Sequence, residues 1–106
     1  MPTYLWQVSY TSDGVKGLTK DGGVKRRTVV QQMLDKAGGK LHGFYFALGE
    51  ADAYMIAELP DAASAVAVSV EVNGSGLVKL KTTTLLSPEE FDAATKKSIG
   101  YRPPGA

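Results

Sequence analysis

Residues 41–60 constrain the fold of this chain most strongly. They form two apolar, aromatic-rich runs on either side of a polar corner, Gly49-Glu50-Ala51-Asp52. Two such runs joined by a short corner that contains glycine and aspartate are typical of a β-hairpin. We therefore predict a central hairpin, against which the other elements of the chain pack.

The segment before the hairpin begins with a predicted strand. Residues 3–11 alternate aromatic or aliphatic side chains with polar or smaller ones, which is the period of a strand. A short helical turn capped by Ser12 or Asp13 is expected to follow. Residues 21–23, Asp-Gly-Gly, would interrupt any helix, so the main helix is expected to begin near Val24.

Residues 24–37 carry a single apolar stripe at helical spacing. The stripe consists of Val30, Met33, Leu34 and Ala37. These positions follow i, i+3, i+4 and i+7, and charged or amide side chains lie between them, which predicts one core-facing surface. The pair Gly38-Gly39 supplies a residue that accepts the left-handed conformation at a helix end.

Residues 61–73 carry two conflicting signals. Four valines alternate with small or polar residues, which is a strand period. However, Pro60-Asp61 is a good helix start and Asn73-Gly74 is a good helix stop. We predict a helix, because a strand–helix–strand crossover needs one at this point.

A fourth strand is predicted over residues 76–86, and it is followed by the clearest local signal in the chain. Ser87-Pro88-Glu89-Glu90 combines an N-cap serine, proline at the first helical position and glutamate at N3, which forms a capping box. The helix is expected to run to about Ser98. The proline-containing residues 99–106 cannot continue it and form an extended tail.

The predicted element order is β-α-β-β-α-β with an extra C-terminal helix. This order is typical of an α+β fold, the ferredoxin-like split βαβ arrangement, in which both crossover helices cover one face of an antiparallel sheet. We expect a single domain over residues 1–98 and the tail over residues 99–106. The second sheet face is left bare, and its apolar residues are expected to be covered by something outside the monomer.

Composition argues against several classes of function. Twelve basic residues against eleven acidic ones give a net charge of +1, which provides no basic excess for a nucleic-acid or membrane-surface binder. The chain has no cysteine and one histidine, so we expect no disulfide, metal site or cofactor. No signal peptide or membrane-spanning run is apparent, and we expect a cytoplasmic protein.

The corner and its flanks resemble a known family. Leu48-Gly49-Glu50-Ala51-Asp52, preceded by Gly43-Phe44-Tyr45 and followed by Glu58-Leu59-Pro60-Asp61, is similar to the GYD domain family of small bacterial and archaeal proteins. The resemblance covers nearly the whole chain and implies a ferredoxin-like fold akin to the dimeric α+β barrel proteins. It implies no particular reaction. Ala51 stands where the family has its tyrosine, which puts any role of that tyrosine in doubt here.

Three polar residues are candidates for catalysis. His42 is a possible general acid or base, because histidine normally ionises near neutral pH, although it could equally lie in solvent at a sheet edge. Glu58 lies within an apolar strand, where a carboxylate needs a partner or a polar cavity. Its alternative role is an ion pair with Lys79 or Lys81. Asp52 is expected mainly to accept backbone N–H groups at the corner, where Gly49 should have a positive φ.

Six aromatic residues are candidates for a ligand pocket on the open sheet face. They are Tyr4, Trp6, Tyr10, Phe44, Phe46 and Tyr54. An aromatic stripe of this kind more commonly forms a core or a dimer interface than a ligand site. The two interpretations are compatible, since a dimer joined through open sheet faces encloses a cavity.

Two classes of function remain open. In the first, the chain forms a homodimer or higher oligomer that binds a small apolar or aromatic ligand, as a binding or regulatory module. In the second, it is a cofactor-independent enzyme of the monooxygenase or isomerase type, with Glu58 or His42 as base. A dry, fully packed dimer interface would favour a purely structural role. Geometry separates the classes: an enzyme needs these side chains within hydrogen-bonding reach of one another.

Overall fold

A computed structural model describes all 106 residues. The elements, in chain order, are β1 (Thr3–Tyr10), α1 (Ser12–Asp21), α2 (Gly23–Ala37), β2 (Lys40–Phe46), β3 (Ala53–Glu58), α3 (Ala62–Gly74), β4 (Val78–Leu85) and α4 (Pro88–Thr95). The four strands form one sheet in the order β2-β3-β1-β4, and every neighbouring pair is antiparallel. The predicted α+β class and ferredoxin-like strand arrangement are confirmed.

The core lies between one face of the sheet and helices α2 and α3. Alternate residues of β1 and β3 point into it, together with two residues from each helix. The largest fully buried side chains are Trp6, Leu34 and Leu59. Because strand side chains alternate, the intervening residues of β1 and β3 point to the opposite face, which no helix of the chain covers. This uncovered surface is called the open face below.

The segment between β1 and the main helix is longer and more regular than predicted. The expected short turn is the ten-residue helix α1, whose first turn is capped by Thr11 rather than by Ser12 or Asp13. The Thr11 side chain accepts a hydrogen bond from the Gly14 N–H at 3.2 Å. Gly22, with φ at 86°, then separates α1 from α2, because few residues other than glycine adopt this backbone conformation.

The valine-rich segment forms helix α3, as predicted. Its N-cap is Asp61, whose carboxylate accepts hydrogen bonds from the backbone and the side chain of Ser64, each at 2.8 Å. Val68 is buried, whereas Val66 and Val70 are 61% and 66% exposed. Residues two apart in sequence therefore lie on opposite sides of the helix, and the apparent strand period in this segment has no structural counterpart.

Strand β2 departs from strict alternation. Its register against β3 shifts between Leu41, opposite Ala57, and Gly43, opposite Ile56. The shift is a β-bulge in which β2 carries one extra residue. As a result Leu41 and Phe44 pack against the same core, although strict alternation predicts opposite faces for them.

Helix α4 begins at the predicted capping box, in which Ser87 and Glu90 exchange hydrogen bonds, and it ends at Thr95. Every residue from Pro88 to the C-terminus is exposed. The radius of gyration is 16.9 Å, against about 13 Å for a compact chain of this length. The chain therefore consists of a compact body and an extended C-terminal arm, defined as residues 86–106. None of the four helices has the length and apolar character needed to cross a lipid bilayer.

The free side of β4 is contacted by a side chain from the end of α3. The Asn73 amide accepts a hydrogen bond from the Leu80 N–H at 2.7 Å and donates one to the Leu80 carbonyl at 3.2 Å. These paired bonds attach the end of α3 to the last strand of the sheet.

Candidate functional site

The centre of the open face is apolar and aromatic. In the strand register Leu5 lies opposite Ile56, and Gln7 lies opposite Tyr54, which in turn lies opposite Tyr45 on β2. Ile56 is 39% exposed and Tyr45 is 70% exposed. Four apolar or aromatic side chains are therefore neighbours on a surface that the chain leaves in contact with solvent.

Two polar candidates meet at the β2 end of this face. The His42 Nε2 atom lies 3.1 Å from the Glu58 Oε1 atom, and the two side chains are 45% and 30% exposed. His42 occupies the interval where the register of β2 shifts, and Glu58 ends the neighbouring strand. The expectation that Glu58 pairs with Lys79 or Lys81 is wrong, because His42 is its partner.

The pair has a definite chemical capability. A carboxylate this close to Nε2 can orient the imidazole and leave Nδ1 on the side away from the carboxylate, an arrangement in which a histidine can act as a general base. His42 also lines a cavity of about 310 Å³ at the free side of β2, together with Lys40, Leu41 and two residues of α2. The pair thus lies at the rim of the open face and next to a space that a small molecule can enter.

Asp52 lies away from the His42–Glu58 pair and has a structural role. Its Oδ2 atom accepts a hydrogen bond from the Tyr10 backbone N–H at 2.9 Å, which joins the corner to the end of β1. Gly49 does not have the positive φ that we expected. The neighbouring Ala51 is buried, so the corner is anchored by a small apolar side chain and by Asp52.

The predicted grouping of six aromatic residues on the open face is wrong for five of them. Tyr4 and Trp6 are buried in the core, and Tyr10 and Phe44 pack against it from the helix-covered side. Phe46 lies on that same side, since its ring is the nearest neighbour of Gly23 at the start of α2. Tyr54 alone points to the open face, because it lies opposite Gln7 rather than Trp6.

Burial also affects the ionisation of one of these aromatic residues. Burial raises the pKa of the Tyr10 phenol above its ordinary value of 10.0, and this effect outweighs the opposing influence of the nearby Arg26 guanidinium. The neutral phenol is therefore the form that the fold favours.

A polar cavity at the β4 end of the open face was not anticipated. Its volume is about 340 Å³, and its lining includes Gln7, Ser9, Lys79 and Lys81 together with one acidic residue, Glu50. The alternation of Val78 and Leu80 with the two lysines was the available signal, since it places both lysines on the face opposite the core. The open face therefore has an apolar centre, a cationic end on β4 and a histidine–carboxylate end on β2.

No group of three or more histidine, aspartate or glutamate side chains is arranged to hold a metal ion. Comparison with curated proteins and with solved structures gave no match. A scan against protein-family models matched the GYD domain over residues 4–95, which include all four strands apart from Thr3 and both ends of the open face. This chain belongs to the GYD domain family.

Proposed function

We propose that the protein is a homo-oligomeric module that binds a small apolar or aromatic molecule in a cavity over the open face. The apolar centre of that face carries the proposal. A sheet with one face packed and one face free normally presents polar residues to water. Here Leu5, Tyr54, Ile56 and Tyr45 take those positions, and a contiguous apolar patch on a soluble fold is typical of a binding surface.

The rim of the face supports a ligand site in addition to an interface. Binding sites combine an apolar lining with a few polar groups that fix the orientation of the ligand. The open face has such groups at both ends: His42 with Glu58 on one side, and Lys79 with Lys81 on the other. A second copy packed over the apolar centre would leave these ends as the polar walls of an enclosed space.

The C-terminal arm supports self-association. Phe91, Ile99 and Tyr101 are 59%, 86% and 73% exposed, although such side chains stabilise a protein chiefly when they are buried. An isolated helix as short as α4 is marginal in water, even with a good cap. Contact with a second copy of the chain would cover these side chains and stabilise the helix.

Light scattering at micromolar concentration, followed by native mass spectrometry, tests the proposal. We expect an oligomer that carries a bound small molecule. Ile56→Lys should reduce both the oligomer mass and ligand retention, because it places a charge in the apolar centre. Val66→Lys is the matched control, since Val66 is also exposed but lies on α3. A wild-type monomer without ligand would refute the proposal, and so would equal effects of the two variants.

A second candidate function is cofactor-independent catalysis of proton transfer. The 3.1 Å contact between His42 and Glu58 favours it, because a base held by an orienting carboxylate is a common catalytic arrangement. In this mechanism His42 removes a proton from carbon next to a carbonyl group of an apolar substrate. Glu58 then stabilises the imidazolium that forms.

Exchange of substrate hydrogen for deuterium provides a direct test. A panel of apolar carbonyl compounds is incubated with the protein in D₂O and followed by NMR. We expect exchange that is lost in His42→Gln and Glu58→Gln but kept in Lys20→Gln, a control on α1 far in sequence from the site. Exchange at the buffer rate, or equal rates in all variants, would rule out this second function.

A further inference from the structure

A small cavity, partly open to solvent, lies on the helix-covered side of the sheet, away from the open face. Its volume is about 30 Å³, and it is lined almost entirely by apolar side chains from the sheet, α2 and α3. Three lining residues carry polar atoms: Trp6 and Tyr10 on β1, and Arg26 in the first turns of α2.

Three polar atoms of these residues are buried and have no partner within strict hydrogen-bonding geometry, although the Arg26 side chain lies close enough to the Tyr10 hydroxyl to influence its pKa. They are the indole Nε1 of Trp6, the hydroxyl of Tyr10 and the Nε of Arg26. The great majority of buried polar groups are hydrogen-bonded, because an unpaired one costs about 1–3 kcal/mol. Three unpaired polar atoms around one cavity therefore indicate a bound molecule with which all three can form hydrogen bonds.

Size and hydrogen-bonding capacity identify that bound molecule. A cavity that holds one water needs roughly 10–15 Å³ or more of accessible space, and a buried water typically forms about three hydrogen bonds. The indole N–H and the guanidinium N–H can only donate, whereas a phenol oxygen can also accept. Water has two lone pairs for the two N–H groups and a proton for the phenol.

We infer that one ordered water molecule binds in this cavity, where it accepts hydrogen bonds from Trp6 and Arg26 and donates one to the Tyr10 hydroxyl. The water joins β1 to the beginning of α2, two elements that direct backbone hydrogen bonds do not connect at this point. The site is independent of the proposed function on the open face.

A crystal structure of the full chain, at a resolution that shows ordered water, tests the inference. We expect one density peak in the cavity at about 2.7–3.2 Å from each of the three polar atoms. A bromide soak should leave no anomalous signal there. A bromide peak would assign the site to an anion and overturn the inference, as would direct contacts among the three side chains with no room for a bound molecule.

A pair of arginine variants provides an independent readout in solution. Trp6 is the only tryptophan, so the protein gives one indole N–H resonance. Arg26→Met removes one partner of the water, and we expect this resonance to shift and to lose its cross-relaxation with water. Arg27→Met, at the exposed neighbouring position, should change neither. A resonance that never shows cross-relaxation with water in the wild-type protein would contradict a bound water.

Discussion

His42, which contacts Glu58, lies where β2 contains one residue more than its partner strand requires. The bulge between Leu41 and Gly43 shifts the strand register and leaves His42 between two regularly paired positions. Bulges commonly redirect a side chain next to a functional site. The bulge therefore lies directly at the His42–Glu58 pair.

Replacement of Glu58 should affect function much more than stability. Both members of the pair are partly exposed, and such pairs contribute about 0–1 kcal/mol. We expect Glu58→Gln to change the free energy of unfolding, measured by urea denaturation, by less than about 1 kcal/mol. Ligand binding or exchange activity at the pair should fall in the same variant. A large loss of stability would show that Glu58 has a structural role instead.

Tyr10 should make the protein less stable at alkaline pH. Burial raises the pKa of Tyr10 above 10.0, so the unfolded chain loses the phenolic proton at a lower pH than the folded chain. The stabilisation is complete below pH 10.0 and is lost as the pH rises from there through the folded-state pKa.

We therefore expect Tyr10→Phe to lose less stability than the wild-type protein between neutral pH and the alkaline range, as measured by urea denaturation across a pH series. Tyr101→Phe is the control, because Tyr101 is exposed on the arm. The free energy of unfolding of Tyr101→Phe should decrease with rising alkaline pH as steeply as that of the wild-type protein. An equal decrease of the free energy of unfolding with pH in all three proteins would contradict the effect of burial on Tyr10.

At the scale of elements, α3 shows how end signals outweigh an internal pattern. Asp61 caps the first turn, and Gly74 ends the helix, while the valines between them favour a strand. Valine is a weaker helix former than alanine, so α3 depends on the packing of Ala65 and Val68 against the sheet. Val66 and Val70 are mostly exposed and contribute less to that packing.

Alanine substitutions should separate these two kinds of valine. We expect Val66→Ala and Val70→Ala each to stabilise the monomer, by up to about 0.7 kcal/mol, because alanine is the better helix former. Val68→Ala should destabilise it by about 1 kcal/mol or more, since it leaves a cavity in the core. Thermal unfolding followed by circular dichroism measures all three. Destabilisation by the two exposed substitutions would mean that another surface contacts them.

The helices and strands were largely predictable from the sequence, but the assignment of side chains to the two faces of the sheet was not. Capping residues and apolar spacing are local, so they defined α2, α3 and the capping box of α4. The bulge in β2 has no comparable local signal. The strand period places Tyr4, Trp6 and Tyr10 on a common face, but it does not say which face the helices cover. Tyr54 lies on the opposite face because it is paired with Gln7 between β1 and β3. This pairing joins residues that are far apart in sequence.

At the scale of the whole molecule, the body and the arm differ in what holds them. The body has a core, whereas no residue of α4 is buried. Helix α4 is stabilised within the chain mainly by local hydrogen bonds, chiefly those of the Ser87–Glu90 capping box. The arm should therefore contribute to association and not to the stability of the body.

Deletion of residues 87–106 tests this division. We expect the free energy of unfolding of the monomer to change by less than about 0.5 kcal/mol, as for exposed positions in general. For the proposed oligomer, the dissociation constant measured by sedimentation equilibrium should rise by about tenfold or more, because the apolar side chains of the arm are lost. Unchanged association would exclude the arm from the interface, and an unfolded variant would show that the arm stabilises the body.

The hydrogen bonds between Asn73 and Leu80 have a consequence for solubility. An outermost strand has unpaired backbone groups that can recruit a strand from another chain, and this is a common start of aggregation. By occupying both backbone groups of Leu80, the Asn73 amide takes the place that an intruding strand would need. A single side chain at the end of a helix thus helps to protect the β4 edge of the sheet from the addition of a fifth strand.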